Sequence, residues 1–61
     1  MGKENFDSKE AEDFLRVTKE TLANWRWKGI GPNYFKLSHK VIYSRRDLEA
    51  WLEKHRVRTE A

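Results

Sequence analysis

The chain has 61 residues, a formal net charge of +3 and no cysteine. A chain of this length supports one domain with one small core, and without cysteine it has neither a disulfide framework nor a thiolate metal site. Its two histidines do not suffice for a structural zinc site, so we expect no metal and no cofactor.

The first predicted helix is preceded by a segment without hydrophobic periodicity. We therefore expect residues 1–7 to be loose. Ser8 is a suitable N-cap for a helix over Lys9–Leu15, because the apolar residues at positions 11, 14 and 15 share one face. Arg16 and Val17 then form the turn, with Val17 filling its corner.

The second predicted helix begins after Thr18, which is a good N-cap, and ends at Gly29. Pro32 prevents its continuation. Leu22 and Trp25 lie on one face of the helix, together with Thr18 and Gly29 at its ends, so we expect that face to be buried. The opposite, exposed face carries Glu20, Ala23, Asn24 and Trp27, flanked by Lys19 and Arg26 on one side and by Thr21 and Lys28 on the other.

A hairpin follows, because apolar residues alternate at positions 35, 37, 41 and 43. A three-residue loop, Ser38-His39-Lys40, would pair Leu37 with Val41 and Phe35 with Tyr43 on one face. Lys36 and Ile42 would then lie on the other face. The hairpin is too short to be stable alone, so it must pack on the helices.

The last predicted helix covers Arg45–His55 and begins with a capping-box-like Ser44 and Asp47. We expect His55 to interact with its carboxyl end. Residues 56–61 form a tail, which leaves one domain over residues 8–55. The expected fold class is mainly α with a small β-hairpin, a winged helix-turn-helix of order α-α-β-β-α.

The basic residues are concentrated in the middle of the chain. Residues 16–46 hold eight Lys and Arg residues against Glu20 alone, whereas residues 1–15 hold two basic residues against five acidic ones. A segregated basic surface is typical of a protein that binds a polyanion. The alternative is a solvated, salt-bridged surface with no partner.

The exposed face of the second helix has the composition of a helix that reads the major groove of DNA. Asn24 can form a bidentate pair with adenine, Glu20 can accept from cytosine N4, and Ala23 can touch a thymine methyl. Lys19 can contact a phosphate, an interaction that does not require a precise side-chain orientation. The alternatives are that Asn24 is simply solvated and that Glu20 stabilises the helix dipole.

Trp27 is unusual because it lies opposite the predicted buried face, where exposure of a large ring needs a reason. It packs either on the sugars or bases of DNA or against Pro32, Asn33 or Tyr34. We favour the second of these. His39, at the tip of the hairpin, could touch a phosphate or the minor groove.

Other classes of function find no support in the sequence. Each Ser, His and Asp has a better explanation as a cap, turn or helix-end residue, and no Gly-rich phosphate loop is present, so we expect no enzyme. No apolar run approaches the ~20 residues of a membrane span, and no signal-peptide pattern is present. We therefore expect a cytoplasmic protein.

The segment from about Phe6 to His55 resembles the excisionase-type helix-turn-helix family, a winged-helix group related to MerR regulators that includes phage excisionases and AlpA-like regulators. The matching elements, in chain order, are Ser8-Lys9-Glu10-Ala11, Phe14-Leu15, Val17-Thr18, Thr21-Leu22, Trp25-Arg26, Gly29, Gly31-Pro32, Phe35-Lys36-Leu37, Val41, Tyr43 and Ser44-Arg45-Arg46-Asp47-Leu48-Glu49-Ala50-Trp51-Leu52.

The resemblance implies a module that binds double-stranded DNA in a bacterial cell, with the second helix in the major groove and the hairpin at the adjacent minor groove. Such proteins bind repeated sites cooperatively, bend DNA and assist a site-specific integrase in excision, and others regulate transcription. The implied groove-facing residues are Lys19, Glu20, Ala23 and Asn24, and the implied backbone contacts are Ser8, Lys9, Lys40, Arg45 and Arg46. Thr21, Arg26 and Lys28 on the second helix and Lys36 and His39 on the wing complete the expected interface.

The sequence departs from the family pattern at four places. Arg16 and Ser38 stand where Gly is usual, in the inter-helix turn and at the wing tip. Ile42 stands where Arg is common, and Ala23-Asn24 replaces a basic pair, which favours direct base readout over charge. We expect a monomer that binds adjacent sites. The alternative from a different class is a protein-interaction adaptor that uses Trp27 and the tail.

Overall fold

The computed structural model describes residues 3–57 and contains three helices and a three-stranded antiparallel sheet. In chain order the elements are β1 (Asn5–Asp7), α1 (Ser8–Leu15), α2 (Lys19–Lys28), β2 (Phe35–Leu37), β3 (Lys40–Ser44) and α3 (Arg45–Lys54). The predicted winged helix-turn-helix, α-α-β-β-α, is confirmed, and one strand precedes it. Both ends of the chain, including residues 58–61 of the predicted tail, lie outside the described residues.

The expectation that residues 1–7 are loose is wrong for Asn5–Asp7. These residues form β1, which pairs with β3, so the sheet order is β1-β3-β2. Phe6 lies opposite Tyr43, and both side chains are buried. A strand of three residues is too short to show alternation in a sequence, and tertiary burial of Phe6 decides its conformation.

Helix α1 begins one residue earlier than predicted, because Asp7 rather than Ser8 is its N-cap. The Glu10 N–H donates to the Asp7 carboxylate at 2.8 Å, and the Asp7 N–H donates to the Glu10 carboxylate at 2.9 Å. This is a reciprocal capping box. Its signal, an acidic residue three positions after a capping residue, was present in the sequence.

The turn between α1 and α2 contains a left-handed residue, Arg16, with φ 59° and ψ 46°. The Val17 N–H donates to the Glu12 carbonyl at 3.1 Å, which closes the end of α1. Thr18 then caps α2 as predicted, since its hydroxyl accepts from the Thr21 N–H at 3.1 Å. The turn is therefore fixed on both sides by hydrogen bonds.

The predicted register of the hairpin is wrong by one residue. Leu37 pairs with Lys40, and Phe35 pairs with Ile42, so the loop is the two-residue Ser38-His39. Ser38 has φ 63°, as the first loop residue of a type II′ turn requires. Two-residue turns of this kind match the twist of the strands, and this preference overrides the apolar pairing we expected.

In the observed register, the face of β2 that we expected to point outward points to the core side instead. Lys36 pairs with Val41, and paired residues point to the same side of a sheet, so Lys36 lies on the core-facing side. Phe35 and Leu37 lie on the outer side instead, where they are 54% and 59% exposed.

The core lies between the sheet and the three helices. Its buried members are Phe6, Ala11, Leu22, Tyr43 and Leu48, and the half-buried Phe14, Leu15, Val17, Trp25 and Val41 pack around them. Helix α3 is capped by Ser44, as predicted. It ends at Lys54, one residue earlier than predicted, and His55 Nδ1 lies 3.0 Å from the Trp51 carbonyl oxygen, which confirms the expected interaction of His55 with the end of the helix.

Candidate nucleic-acid interface

Helix α2 presents one polar face to solvent and buries the opposite one. Lys19, Glu20, Ala23 and Asn24 are exposed, whereas Leu22 is fully buried. The predicted orientation of the helix is therefore confirmed. The exposed side chains are short around the middle of the helix, so its backbone is open to close approach by a ligand.

Arg26, a half-buried residue in the last turn of α2, links this helix to the rest of the fold. Its Nη1 donates to the Tyr43 hydroxyl at 3.0 Å and to the Ser8 hydroxyl at 3.3 Å. These bonds join α2 to β3 and α1. A charged donor strengthens such bonds, so the three elements are held as one unit.

The wing, defined as β2, β3 and their loop Ser38-His39, carries exposed Lys36, His39 and Lys40. The Ser38 hydroxyl lies 3.4 Å from His39 Nδ1 at the tip. Lys40 pairs with Leu37 and shares the outer side of the wing with it. Lys36 lies on the side that faces the core.

A groove separates α2 from the wing and brings together predicted residues from both. This α2–wing groove is an open surface depression of about 410 Å³, lined by Ala23, Arg26, Trp27, Tyr34, Lys36 and Val41. Sequence reasoning placed the first two on the interface and Lys36 on the wing. It named Tyr34 only as one of the residues that Trp27 would pack against, and not as part of the interface.

Residues 6–56 match the protein family described as the helix-turn-helix domain, a family of excisionase- and AlpA-like small DNA-binding proteins. This chain belongs to that family. Membership therefore supports binding of double-stranded DNA, and the family is not one of enzymes. No curated protein matches the chain.

No three His, Asp or Glu residues within residues 3–57 lie close enough together to hold a metal ion. No helix in that range is long and apolar enough to cross a membrane.

The remaining helical residues of the expected interface lie in different surroundings. Lys9 is exposed on α1, and Lys28 is exposed in the last turn of α2. Thr21 is half-buried, and its hydroxyl accepts from the Thr18 hydroxyl at 2.9 Å. The roles of all three in DNA binding stay predictions.

Arg45 contacts the N-terminal segment of the chain and two aromatic rings of the core. Its Nε donates to the Lys3 carbonyl at 2.6 Å, and its guanidinium lies 5.4 Å from the ring centroid of Phe6 and 5.7 Å from that of Phe14. Its Nη1 also lies 3.4 Å from the Glu49 carboxylate. These contacts compete with a phosphate for the guanidinium.

Arg46 is exposed, yet it does not line the α2–wing groove. It lines a separate depression with Glu4, Asn5, Phe35, Ser44 and Asp47. The two arginines at the start of α3 are thus not gathered with the residues of α2, and their backbone contacts stay predictions.

Trp27 overturns the expectation that we favoured for it. Its side chain is 85% exposed, so it is not folded against Pro32, Asn33 or Tyr34. The ring instead forms one wall of the α2–wing groove. The helical wheel did indicate an exposed position, but the assumption that a large apolar ring must be covered overrode it.

Proposed function

We propose that this protein recognises a specific duplex sequence with the N-terminal half of α2 in the major groove and the wing at the adjacent minor groove. The observation that carries the proposal is the exposed face of α2, where Glu20, Ala23 and Asn24 lie opposite the buried Leu22. Short polar and small side chains allow the helix backbone to approach base edges.

Its proposed biological role is that of an excisionase in the bacterial cytoplasm. In this role the monomeric protein binds repeated sites cooperatively, bends the DNA and assists a site-specific integrase. Membership of a family of excisionase- and AlpA-like proteins supports this role. The AlpA-like members support a second candidate, control of transcription.

An in vitro excision reaction separates these two roles. The protein is added to a site-specific integrase from the same genome and a supercoiled substrate carrying both ends of the element. Excision that depends on the protein supports the first role. Binding at a promoter without any effect on excision supports the second role. The oligomeric state is tested separately by sedimentation: a stable dimer at micromolar concentration would contradict the proposed monomer.

Selection from random duplexes, followed by substitution of Asn24, tests direct readout. Asn24→Ala should relax the preference at one base pair by about 1–3 kcal/mol. The melting temperature should not fall, because Asn24 is exposed and alanine is the better helix former. Unchanged preference at every position, or early melting, would contradict the proposed orientation of α2 on DNA.

The salt dependence of binding tests the phosphate contact of Lys19. Lys19→Ala should reduce the slope of log K against log salt by about 0.9 for one lost contact to B-DNA. Lys54→Ala, an equally charged change at an exposed position on α3, is the matched control and should leave the slope unchanged. Equal slopes for both variants would remove Lys19 from the interface.

A protein-interaction adaptor is the remaining candidate, and the exposed indole of Trp27 favours it. An interface anchored by an aromatic side chain depends little on salt, whereas phosphate-driven binding weakens steeply as salt rises. A partner captured with salt-independent affinity, together with no binding to any duplex, would support the adaptor.

A further inference from the structure

The α2–wing groove combines aromatic rings with basic groups. Of its six lining residues, Trp27 and Tyr34 are aromatic, Arg26 and Lys36 are basic, and none is acidic. Charge complementarity therefore favours an anionic occupant. The aromatic faces favour an occupant that also has an apolar surface.

Trp27 lies on the exposed side of α2, four residues after Ala23 and therefore one turn further along the same face. The ring is 85% exposed in the free protein. Burying so much apolar surface in a complex is favourable, because it removes that surface from water.

The opposite wall of the groove is held in place by the fold. Lys36 lies on the groove side because it pairs with Val41, which also lines the groove. The Tyr34 ring packs against that of Tyr43, with centroids 5.7 Å apart. Tyr43 in turn accepts the hydrogen bond from Arg26 at 3.0 Å, so both walls are anchored to the same core residue.

A duplex bound by both α2 and the wing has one DNA strand between them, since a sugar–phosphate backbone separates the major groove from the minor groove. We propose that this backbone lies in the α2–wing groove, with the Trp27 ring packed on a deoxyribose and Lys36 Nζ paired with a phosphate. The proposal rests on the proposed DNA-binding mode. It assigns Trp27 to sequence-independent affinity rather than to base readout.

Equilibrium binding to the selected site and to an unrelated duplex tests this assignment. Trp27→Ala should weaken binding to both duplexes alike, by about tenfold, and leave the salt slope unchanged, because an apolar contact is lost. Trp27→Phe keeps a flat ring and should restore most of the affinity. Lys36→Gln should instead reduce the slope by about 0.9.

Val57→Ala is the matched control, since Val57 is 84% exposed and apolar but does not line the groove. It should not change affinity for a duplex that carries a single site. Acrylamide quenching of tryptophan fluorescence gives a second measurement. Trp27 is open to solvent and therefore to the quencher, whereas Trp25 and Trp51 are half-buried. Duplex should protect the wild-type fluorescence and should protect Trp27→Phe much less.

Unchanged affinity of Trp27→Ala, or a loss confined to the selected site, would overturn the proposal. The first result would remove the ring from the interface, and the second would place it against bases. Either result leaves DNA binding by the wild type intact. Failure of the wild type to bind any duplex would instead overturn the proposed function itself.

Discussion

Strand β3 has two neighbours that differ in almost every physical respect. On one side it pairs with β1, where Phe6 and Tyr43 are buried under the helices. On the other side it pairs with β2, in which all three residues are exposed. The first pair forms part of the core, whereas the second projects from it.

The buried β1–β3 pair therefore stabilises the fold, whereas the exposed β2 side is available to contact a ligand. Burial of apolar side chains determines the core side, and backbone pairing with a two-residue turn determines the wing. Because β2 buries little, its side chains are free to carry charge and aromatic surface. Substitutions on the core side should therefore change stability, and those on the exposed side should change binding.

Leu22→Ala should have the largest effect and tests the core half of this comparison. Leu22 is fully buried, and such a substitution costs about 2–5 kcal/mol. A domain of this size has little stability to spare, so much of the variant should be unfolded at room temperature. Thermal melts measure the loss. Ala23→Ser, at the neighbouring exposed position, should lose only the roughly 0.5 kcal/mol that separates serine from alanine in a helix.

Tyr43→Phe should have the next largest effect, because Tyr43 connects the core to α2. The substitution removes the hydroxyl that accepts from Arg26 at 3.0 Å and leaves a half-buried guanidinium with one partner fewer. The expected cost is about 1–3 kcal/mol in the free energy of unfolding, measured by urea denaturation. Tyr34→Phe is the control, since within residues 3–57 its hydroxyl makes no hydrogen bond. Equal stability of both variants would contradict the proposed role of Arg26 in fixing α2.

The helices were predictable from sequence because their signals are local. Thr18 and Ser44 are capping residues that the sequence identifies directly, and Leu22 and Leu48 lie on faces with helical spacing. The strand β1 was not predictable, since three residues show no period and only contact with β3 orders them. The hairpin register also failed, because the turn geometry at Ser38 overrides the apolar pattern.

The site was predictable in part for the same reason. The exposed face of α2 follows from its wheel, so Glu20, Ala23 and Asn24 are exposed as expected. The groove depends on which way β2 faces, and a one-residue shift inverts that side of the wing. Arg26 was expected at the surface, but its bond to Tyr43 is a tertiary contact that no local pattern indicates.

Arg16→Gly should stabilise the protein and tests whether the two sides unfold together. Arg16 and Ser38 are the two non-glycine residues with positive φ among residues 3–57, one in the turn beside the core and one in the wing. Relief of the left-handed strain at Arg16 is worth about 1 kcal/mol, or roughly 4–8 °C in melting temperature. Arg16→Ala removes the same charge but keeps the strain, so it should show no gain.

Ser38→Gly extends the same test to the wing. If the wing opens before the core, relief of the backbone strain at Ser38 does not stabilise the protein against global unfolding. The melting temperature of Ser38→Gly should then rise less than that of Arg16→Gly. A rise equal to that of Arg16→Gly would show that wing and core unfold as one unit. That result would contradict the separation between them.

Glu10→Gln should have the smallest effect and concerns the corner where β1 meets α1. The Lys3 ammonium donates to the Glu10 carboxylate, and the Asp7 N–H donates to it as well, so both hold its pKa below the ordinary value. A carboxyl with a lowered folded pKa stabilises the fold above its unfolded pKa, and this contribution is lost as the pH falls through the folded pKa. Melts from about pH 7 to pH 3 should therefore decline less steeply for Glu10→Gln, which keeps the capping hydrogen bond without the charge.

Lys3→Ala completes this measurement, because it removes the partner and leaves the carboxylate. Its decline in acid should also be less steep than that of the wild type, since the first cause of the lowered pKa of Glu10 is gone. DNA binding at neutral pH should be the same for both variants and the wild type, because neither residue lines the α2–wing groove. Equal acid profiles for all three proteins would mean that the ion pair adds nothing to the core side.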